Sequence, residues 1–326
     1  MDNLTHSLTG ALLGQAGLKR KTGLAMPALI IGANIPDIDA SCTIYGLQSL
    51  AMRRGITHGP IAMVLLPLLL AGALYWYDRW QTKRGKRPEG RLPVRFGWLY
   101  ALSLLGCLTH PALDWMNVYG VRLLEPFSSE WFYGDTLFIV DVWLWALMIV
   151  ATWWSLRRER RGQNGRKVAL AAIGVALFYI GTNWTITRDA ERLALNGDVY
   201  SETIASPVPA RFWERELVYP QAQGRVAIVP GYTGPSSDRL NVDQPWDVPL
   251  DWCDLDAARR TDPDLDAFLF WSRAPFVQLR EDGSAVLRDA RFYDPLARDR
   301  FSVDLDQGVC DASGSARRSA VARAGR

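Results

Sequence analysis

The stretch that decides the fold is FGWLYALSLLGCLTHPALD, residues 96–114, an apolar run that ends in His110 and Asp114. About 20 apolar residues in a helix cross the ~30 Å hydrocarbon core of a membrane. A histidine and an aspartate at spacing i, i+4 lie on one face of a helix, and imidazole and carboxylate are common ligands of zinc and related ions. The stretch therefore predicts a membrane helix with two metal ligands at its end. Pro111 predicts a kink or a restart of the helix at that point.

The first part of the chain contains further apolar runs, although the mean hydropathy of the whole chain is only −0.03. Two early segments, 4–18 and 24–38, are short for a full crossing and rich in glycine and alanine, which favours packing among other helices. The runs close to the length of a span predict four membrane helices, at 60–77, 96–113, 136–156 and 168–187.

Basic residues give the expected orientation. Sixteen lysines and arginines lie at 19–21, 79–95 and 157–167, whereas only Arg53, Arg54 and Arg122 lie at 39–59 and 114–135. Because cytoplasmic loops carry an excess of Lys and Arg, the first three segments are predicted to be cytoplasmic and the other two to face the opposite side. The net charge of +3 then reflects topology and contact with membrane lipids, and no nucleic-acid partner is expected.

All three histidines of the chain fall at the same predicted membrane face. Ionisable groups at that depth are costly, so their convergence predicts one functional metal site there. The alternative is a polar cluster that caps helices without a metal. The predicted ligands are His6, Asp37, His58, His110 and Asp114, and the predicted general base is Asp39 or Asp141.

Three residues near these ligands are candidates for binding substrate. Arg53 and Arg54 precede His58 and are suited to bidentate binding of a phosphate, although contact with lipid headgroups explains them equally well. Asn117 follows Asp114, and we expect it to line the cleft of the same site. The alternative is that Asn117 belongs to a simple turn.

The motifs MDNLTH at 1–6, PDID at 36–39, RGITHG at 54–59 and HPALD at 110–114 together resemble the YdjM-like family of bacterial inner-membrane proteins, which are classed as metal-dependent hydrolases. The order of these residues is also similar to part of the ligand set of zinc-dependent phospholipase C and related single-strand nucleases. Those enzymes hold three zinc ions with additional histidines. This chain has no fourth histidine, so the resemblance implies one or two divalent ions, with zinc favoured and with Asp2, Asp135 or Asp141 filling gaps.

Residues 188–312 have the pattern of a soluble β-rich domain after a helical stretch at about 186–196, and residues 313–326 that of a disordered tail. Short apolar stretches bounded by Pro, Gly and Asp predict strands at 225–229, 267–271, 276–279 and 285–287. Cys253 and Cys310 are the cysteines of this part, and an oxidising compartment would permit a disulfide between them.

The fold class predicted is an α-helical polytopic membrane bundle followed by a β-rich α+β domain. The predicted location of the protein is the bacterial inner membrane, with the metal site and the C-terminal domain in the periplasm. A hydrolase acting on a phosphoester or ester of a lipid or lipid-linked substrate fits best; a non-catalytic scaffold that binds a partner protein and a transporter are the alternatives. The sequence has no glycine-rich phosphate loop, GxSxG or CxxC motif, which argues against nucleotide enzymes, common serine hydrolases and redox proteins.

Reporter fusions test the predicted orientation. Fusions after Arg87 and Arg161 are expected to report a cytoplasmic location, and fusions after Met52, Val121 and Gly231 a periplasmic one, because the loops rich in Lys and Arg stay inside. A cytoplasmic signal after Gly231 would contradict the proposed compartment of the C-terminal domain.

Overall fold

The computed structural model describes residues 1–195, 203–220, 226–232, 247–248, 250, 253–280, 282–293 and 298–310. The predicted disordered tail lies outside these residues. The chain divides into two compact units. We call the first the helical unit, which comprises residues 1–41, 54–186 and 207–213; the second unit comprises 42–53, 187–206 and 214–326.

Seven α-helices form in the first two thirds of the chain. A 3-10 segment, Ile35–Gln48, follows the second helix and is interrupted at Gly46, and a 3-10 turn, Ile56–His58, precedes the fourth. The helices are α1 Asn3–Gln15, α2 Ala25–Gly32, α3 Ser49–Met52, α4 Pro60–Lys83, α5 Phe96–Trp115, α6 Val142–Arg160 and α7 Arg166–Leu195.

Among the described helices, three are long and apolar enough to cross a membrane: α4, α5 and the part of α7 from Arg166 to Arg192. The sequence also predicted a span at 136–156, but α6, the helix in this region, is not among the helices that are long and apolar enough. The helix begins only at Val142, where Asp141 caps it, so a short apolar part is left before the arginines at its end. The segment before it is not helical, since Leu137 forms an isolated β-bridge with Asn117.

Two other expectations about helices also need correction. Pro111 does not interrupt α5, which continues through it to Trp115. The predicted helical stretch at 186–196 is not separate, because α7 continues from the span to Leu195.

The helices α1, α2 and α5 pack through glycines. A Cβ atom on Gly10 of α1 or on Gly106 of α5 would lie 2.6 Å from the carbonyl oxygen of Leu29 in α2. Gly32 of α2 is similarly close to the backbone of α5, with 2.7 Å from its Cβ position to the Ser103 oxygen. Small residues let helix backbones approach in this way. The short α2 is therefore held between α1 and α5, with Leu29 fully buried.

The second unit contains short antiparallel strands, as the α+β prediction requires. One sheet has the order β1-β2-β3 and the other β4-β5-β6-β7. Buried residues from both sheets, including Val218 and Phe276, form one core. The strands are β1 Ile204–Val208, β2 Arg211–Pro220, β3 Val226–Tyr232, β4 Asp247–Val248, β5 Pro275–Leu279, β6 Ala285–Asp289 and β7 Ser302–Leu305.

The stretch 267–271, predicted to be a strand, is helical. Two helices precede β5, α8 Leu255–Ala258 and α9 Pro263–Trp271. Asp262 caps α9 by accepting from the backbone N–H groups of Asp264 and Leu265, and Pro263 occupies the first turn. These are strong signals for a helix start, and they outweigh the apolar run. The expected disulfide is present, with the Cα atoms of Cys253 and Cys310 3.9 Å apart.

Substitution of two glycines of α5 tests the packing. Gly106→Ala is expected to lower the melting temperature of the detergent-purified protein, because the new methyl group would overlap Leu29 and such overpacking costs ~1–3 kcal/mol. Gly97→Ala is the matched control: no atom lies within 4 Å of its Cβ position, so higher helix propensity is expected to leave stability unchanged or raised. Equal melting temperatures for the two variants would contradict the proposed contact.

Candidate metal centre

The side chains of the candidate centre come from four separate elements. His6 lies on α1, Asp37 in the 3-10 segment after α2, and His58 in the turn before α4. His110 and Asp114 lie in the last turns of α5. The three histidines and Asp114 are buried, with at most 1% of each residue exposed. The structure therefore brings together residues that are distant in sequence, as the histidine pattern predicted.

Four of these residues form a compact group. The ligand atoms of Asp37, His58, His110 and Asp114 all lie within 4.8 Å of one another. His58 Nε2 is 3.4 Å and His110 Nε2 3.5 Å from Asp114 Oδ2, and His110 Nε2 is 3.6 Å from Asp37 Oδ1. Ligands about 2.1 Å from a tetrahedral zinc ion are about 3.4 Å from each other. Three of the six distances within the group are thus close to the separation of ligands around a tetrahedral ion, and the rest are within 4.8 Å.

Hydrogen bonds orient two of the imidazoles toward the centre of the group. His110 Nδ1 is 2.7 Å from the Ala33 carbonyl oxygen, which can only accept, so this nitrogen carries the proton. The hydroxyl of Thr57 donates to Asp39 Oδ2 at 2.8 Å and lies 3.0 Å from His58 Nδ1, so it accepts from that nitrogen. Each Nε2 therefore faces the carboxylates and, when unprotonated, can offer its lone pair to a metal ion, the arrangement typical of metal-binding histidines.

Several polar atoms at the centre lack a hydrogen bond. Within the described part of the chain, His58 Nε2, His110 Nε2, Asp114 Oδ2 and both ring nitrogens of His6 are buried without a hydrogen-bond partner. Leaving a buried polar atom unpaired costs about 1–3 kcal/mol. Three of these atoms, on His58, His110 and Asp114, belong to the group of four, and a divalent cation would give all three a partner.

Asp37 is ionised in this environment. Burial alone would raise the pKa of its carboxyl group, but the neighbouring His110 imidazole outweighs burial and lowers the pKa to about 2. Asp37 is therefore available as an anionic ligand at neutral pH.

The second oxygen of Asp114 faces a different set of groups. His6 Nε2 is 3.5 Å from Asp114 Oδ1, and the His6 ring stacks on His110 with 3.7 Å between centroids. His6 is beside the group of four and is not one of its members. Arg54 Nη2 is 3.1 Å from the same Oδ1, and the amino group of Met1 also contacts it. Arg54 and the Met1 amino group thus both lie on the Oδ1 side of this carboxylate.

Arg54 is held firmly at the centre. Its Nη1 donates to Asn117 Oδ1 at 3.0 Å, and its guanidinium lies 4.5 Å from the centre of the Tyr119 ring. The backbone of Arg54 has φ +55°, a region in which non-glycine residues are uncommon and which is frequent at functional sites. Of the predicted substrate-binding residues, Arg54 and Asn117 lie at the site, while Arg53 belongs to the second unit.

The two candidates for general base have different positions. Asp39 is next to the group: its Oδ2 accepts from the Arg54 backbone N–H at 2.7 Å and lies 3.5 Å from His58 Nδ1. Asp141 instead caps α6 through Trp143 and Leu144 and accepts from the Tyr179 hydroxyl at 2.8 Å. Its carboxylate is engaged at the helix start, and its role as a base stays a prediction.

The proposed gap-filling residue Asp2 is also a helix cap. Its side chain accepts from the backbone of Leu4 and Thr5, at the start of α1, and from Trp145 Nε1. Asp135, the other residue considered for this role, is buried and is not a member of the group of four.

The roles of Thr57 and of the Ala33 carbonyl group were not predicted from the sequence. Thr57 directly precedes His58, so a hydroxyl beside a ligand was the signal that could have found it. The carbonyl of Ala33 leaves no signal in the sequence, because every residue has one.

A family model described as YdjM inner membrane protein matches residues 1–190. The chain belongs to the YdjM family. The matched region contains every residue of the group of four, together with His6 and Arg54, and ends before β1. Family membership and the three apolar helices make this chain a membrane protein. No match was found among curated proteins or solved structures.

Metal analysis of the purified YdjM-family protein tests the centre. We expect one divalent ion per chain, and we expect His110→Ala and Asp114→Asn to lose it, because each removes an atom of the group. Asp141→Asn is the matched control, since asparagine caps a helix as well as aspartate does and the metal is expected to stay. Metal retained by the double variant His110→Ala, Asp114→Ala would show that the ion lies elsewhere.

Proposed function

We propose that this protein is a membrane-bound, metal-dependent hydrolase that cleaves a phosphoester or ester of a lipid or lipid-linked substrate. The observation that carries the proposal is the group of Asp37, His58, His110 and Asp114, whose ligand atoms all lie within 4.8 Å of one another and whose two Nε2 atoms lack a hydrogen-bond partner in the described part of the chain. The family match supports the membrane location and the organisation of the first 190 residues.

We further propose a single ion, with zinc favoured by the ligand set of imidazoles and carboxylates. Asp37 and Asp114 together supply two negative charges, which balance a divalent cation. A second ion would have to approach Asp114 Oδ1, where Arg54 and the Met1 amino group already contact the carboxylate. When bound, the ion would activate water and polarise the oxygen of the bond to be cleaved.

The proton acceptor that we propose is Asp39. Arg54 and Thr57 donate to its Oδ2, which fixes the carboxylate beside the centre. Its Oδ1 is buried and makes no hydrogen bond in the described part of the chain. Through Thr57 the same residue also orients His58, so Asp39 both positions a ligand and offers an oxygen that could take a proton from water.

Arg54 supports an anionic substrate. A guanidinium fixed by Asn117 and Tyr119 has lost most of its conformational freedom before the substrate arrives, and its planar fork matches phosphate. A phosphoester is therefore favoured over a carboxyl ester. We propose that the substrate is a membrane lipid because the centre lies at the end of α5, an apolar helix long enough to cross the bilayer. The charge pattern of the loops supports a periplasmic position for this end.

The non-catalytic alternative has one observation in its favour. Arg54 and Asp114 form a buried ion pair, so the cluster has part of its charge balanced without a metal. In that case the polar centre would serve only to hold α1, α4 and α5 together. The transporter alternative is less well supported, because residues 96–107 contain no Asp, Glu, Lys, Arg or His near the middle of the span.

Hydrolysis by the full-length protein in phospholipid vesicles tests the proposal. Zinc-loaded protein is expected to release a phosphorylated headgroup or phosphate, identified by mass spectrometry, and chelation is expected to stop the release. Arg54→Lys is expected to reduce kcat/KM by about tenfold or more, because lysine cannot form the bidentate contact. Arg95→Lys, at the opposite end of α5, should retain wild-type activity. If the metal-loaded protein releases fatty acid, the bond that it cleaves is a carboxyl ester and not the proposed phosphoester. If it is inactive on all phospholipids and lipid-linked phosphates, the non-catalytic scaffold is favoured.

A further inference from the structure

An apolar cavity of ≈ 250 Å³ lies within the helical unit, beside the candidate centre. Four helices, α1, α5, α6 and α7, contribute its walls. On α5 and α7 the first and last lining residues are seven residues apart, which corresponds to about 10 Å along each helix. The residues are Thr9, Leu12, Leu13, Thr109, Ala112, Leu113, Met116, Leu144, Met148, Ile173, Ala176, Leu177 and Ile180.

The cavity offers almost nothing polar to an occupant. Its only two hydroxyl groups already donate to backbone oxygens of their own helices: Thr9 to the Thr5 oxygen at 2.9 Å and Thr109 to the Gly106 oxygen at 2.6 Å. The other lining side chains are aliphatic or methionine. Water in such a space would lose its hydrogen bonds, and apolar cavities of this kind stay dry. The chemistry therefore favours a hydrocarbon.

The mouth of the cavity faces the membrane interior. Ala112 and Leu177 line the cavity and are also exposed at the surface of the protein, with Leu177 65% exposed. They lie on α5 and α7, which are both long and apolar enough to cross the bilayer. The surroundings of an opening between two such helices are lipid chains. A chain entering there exchanges one apolar environment for another and gains close packing.

Part of the cavity wall lies in the same helical turns as residues of the candidate metal centre. On α5, Thr109 and Leu113 of the lining directly precede His110 and Asp114 of the centre. On α1, Thr9 of the lining is one helical turn after His6. Because the same turns carry both sets of residues, a molecule whose hydrocarbon part fills the cavity lies within about one helical turn of the centre, which its polar end can then approach.

We propose that this cavity binds one hydrocarbon chain of a membrane lipid, and that the lipid so held is the substrate of the centre. The second part rests on the proposed function, whereas the binding of a chain does not. In this arrangement the cavity selects lipids by the hydrocarbon chain that it binds, and the centre acts on the bond at the headgroup end of the same lipid.

Photolabelling tests the binding of the chain. The full-length protein is placed in phosphatidylcholine vesicles that contain a phosphatidylcholine with a diazirine in its acyl chain, and chelator is added so that no hydrolysis is needed. Labels are expected on lining residues such as Ile180 and Met116 in clear excess over Leu69 of α4, which is 67% exposed. Labels distributed by exposure alone, with Leu69 labelled as strongly as the lining residues, would overturn the proposal.

Two tryptophan substitutions on α7 make the test specific. Ala176→Trp fills the cavity and is expected to lower labelling of the lining about tenfold, the change produced by losing the burial of roughly two methylene groups. Ala171→Trp, on the same helix at an exposed position outside the lining, should leave the labelling unchanged. Equal effects of the two variants would overturn the proposal. So would disulfide-linked dimers of Leu177→Cys without lipid labelling, which would make the cavity an interface between copies.

A comparison of chain lengths connects the cavity to hydrolysis. Ala176→Trp is expected to reduce hydrolysis of long-chain phospholipid far more than hydrolysis of the dihexanoyl analogue, and an equal reduction would overturn the assignment of the bound lipid as substrate. Selective labelling without any hydrolysis would retain the chain site and contradict the proposed function. Hydrolysis without selective labelling would retain the function and contradict the chain site.

Discussion

The candidate centre depends on the close approach of α1 and α5 to the backbone of α2. Gly10 and Gly106 both contact the Leu29 carbonyl group, at a distance that excludes any side chain. His6 is one turn before Gly10 and His110 one turn after Gly106, so this contact sets the two rings at stacking distance. The same helix α2 ends in the Ala33 carbonyl that orients His110. Packing of backbones thus determines the geometry of the polar group.

Burial makes the polar group costly unless it is charge-balanced. Two carboxylates and three imidazoles are held away from water, and several of their atoms have no hydrogen-bond partner in the described part of the chain. Arg54 balances one carboxylate oxygen of Asp114, while the other faces His58 and His110. A cation on that side would convert unpaired atoms into ligands, which explains why a membrane protein would keep so many ionisable groups in one place.

Most of the centre could be predicted from the sequence, because histidine and aspartate side chains beside apolar helices have few roles other than binding or catalysis. Three histidines at one predicted membrane face, and the i, i+4 pair of His110 and Asp114, were sufficient to find it. Helix ends were less predictable. Asp141 and Asp262 each cap the start of a helix. Asp141 was predicted to be a candidate base, and the cap signal of Asp262 was overlooked because an apolar run follows it. The role of Gly106 depends on which backbone it meets, and only tertiary structure shows that. The apolar cavity is likewise invisible in sequence, because its lining residues are those of any membrane helix.

The central claim is that Asp37, His58, His110 and Asp114 surround one divalent ion. X-ray absorption spectroscopy of the zinc-loaded protein in detergent measures this most directly. The account predicts a first shell of nitrogen and oxygen at about 2.0–2.2 Å with outer-shell scattering from imidazole rings, which disappears in His110→Ala. A shell containing sulfur at about 2.3 Å would place the ion on a cysteine, and a spectrum unchanged by His110→Ala would place it at another site. Either result would contradict the account.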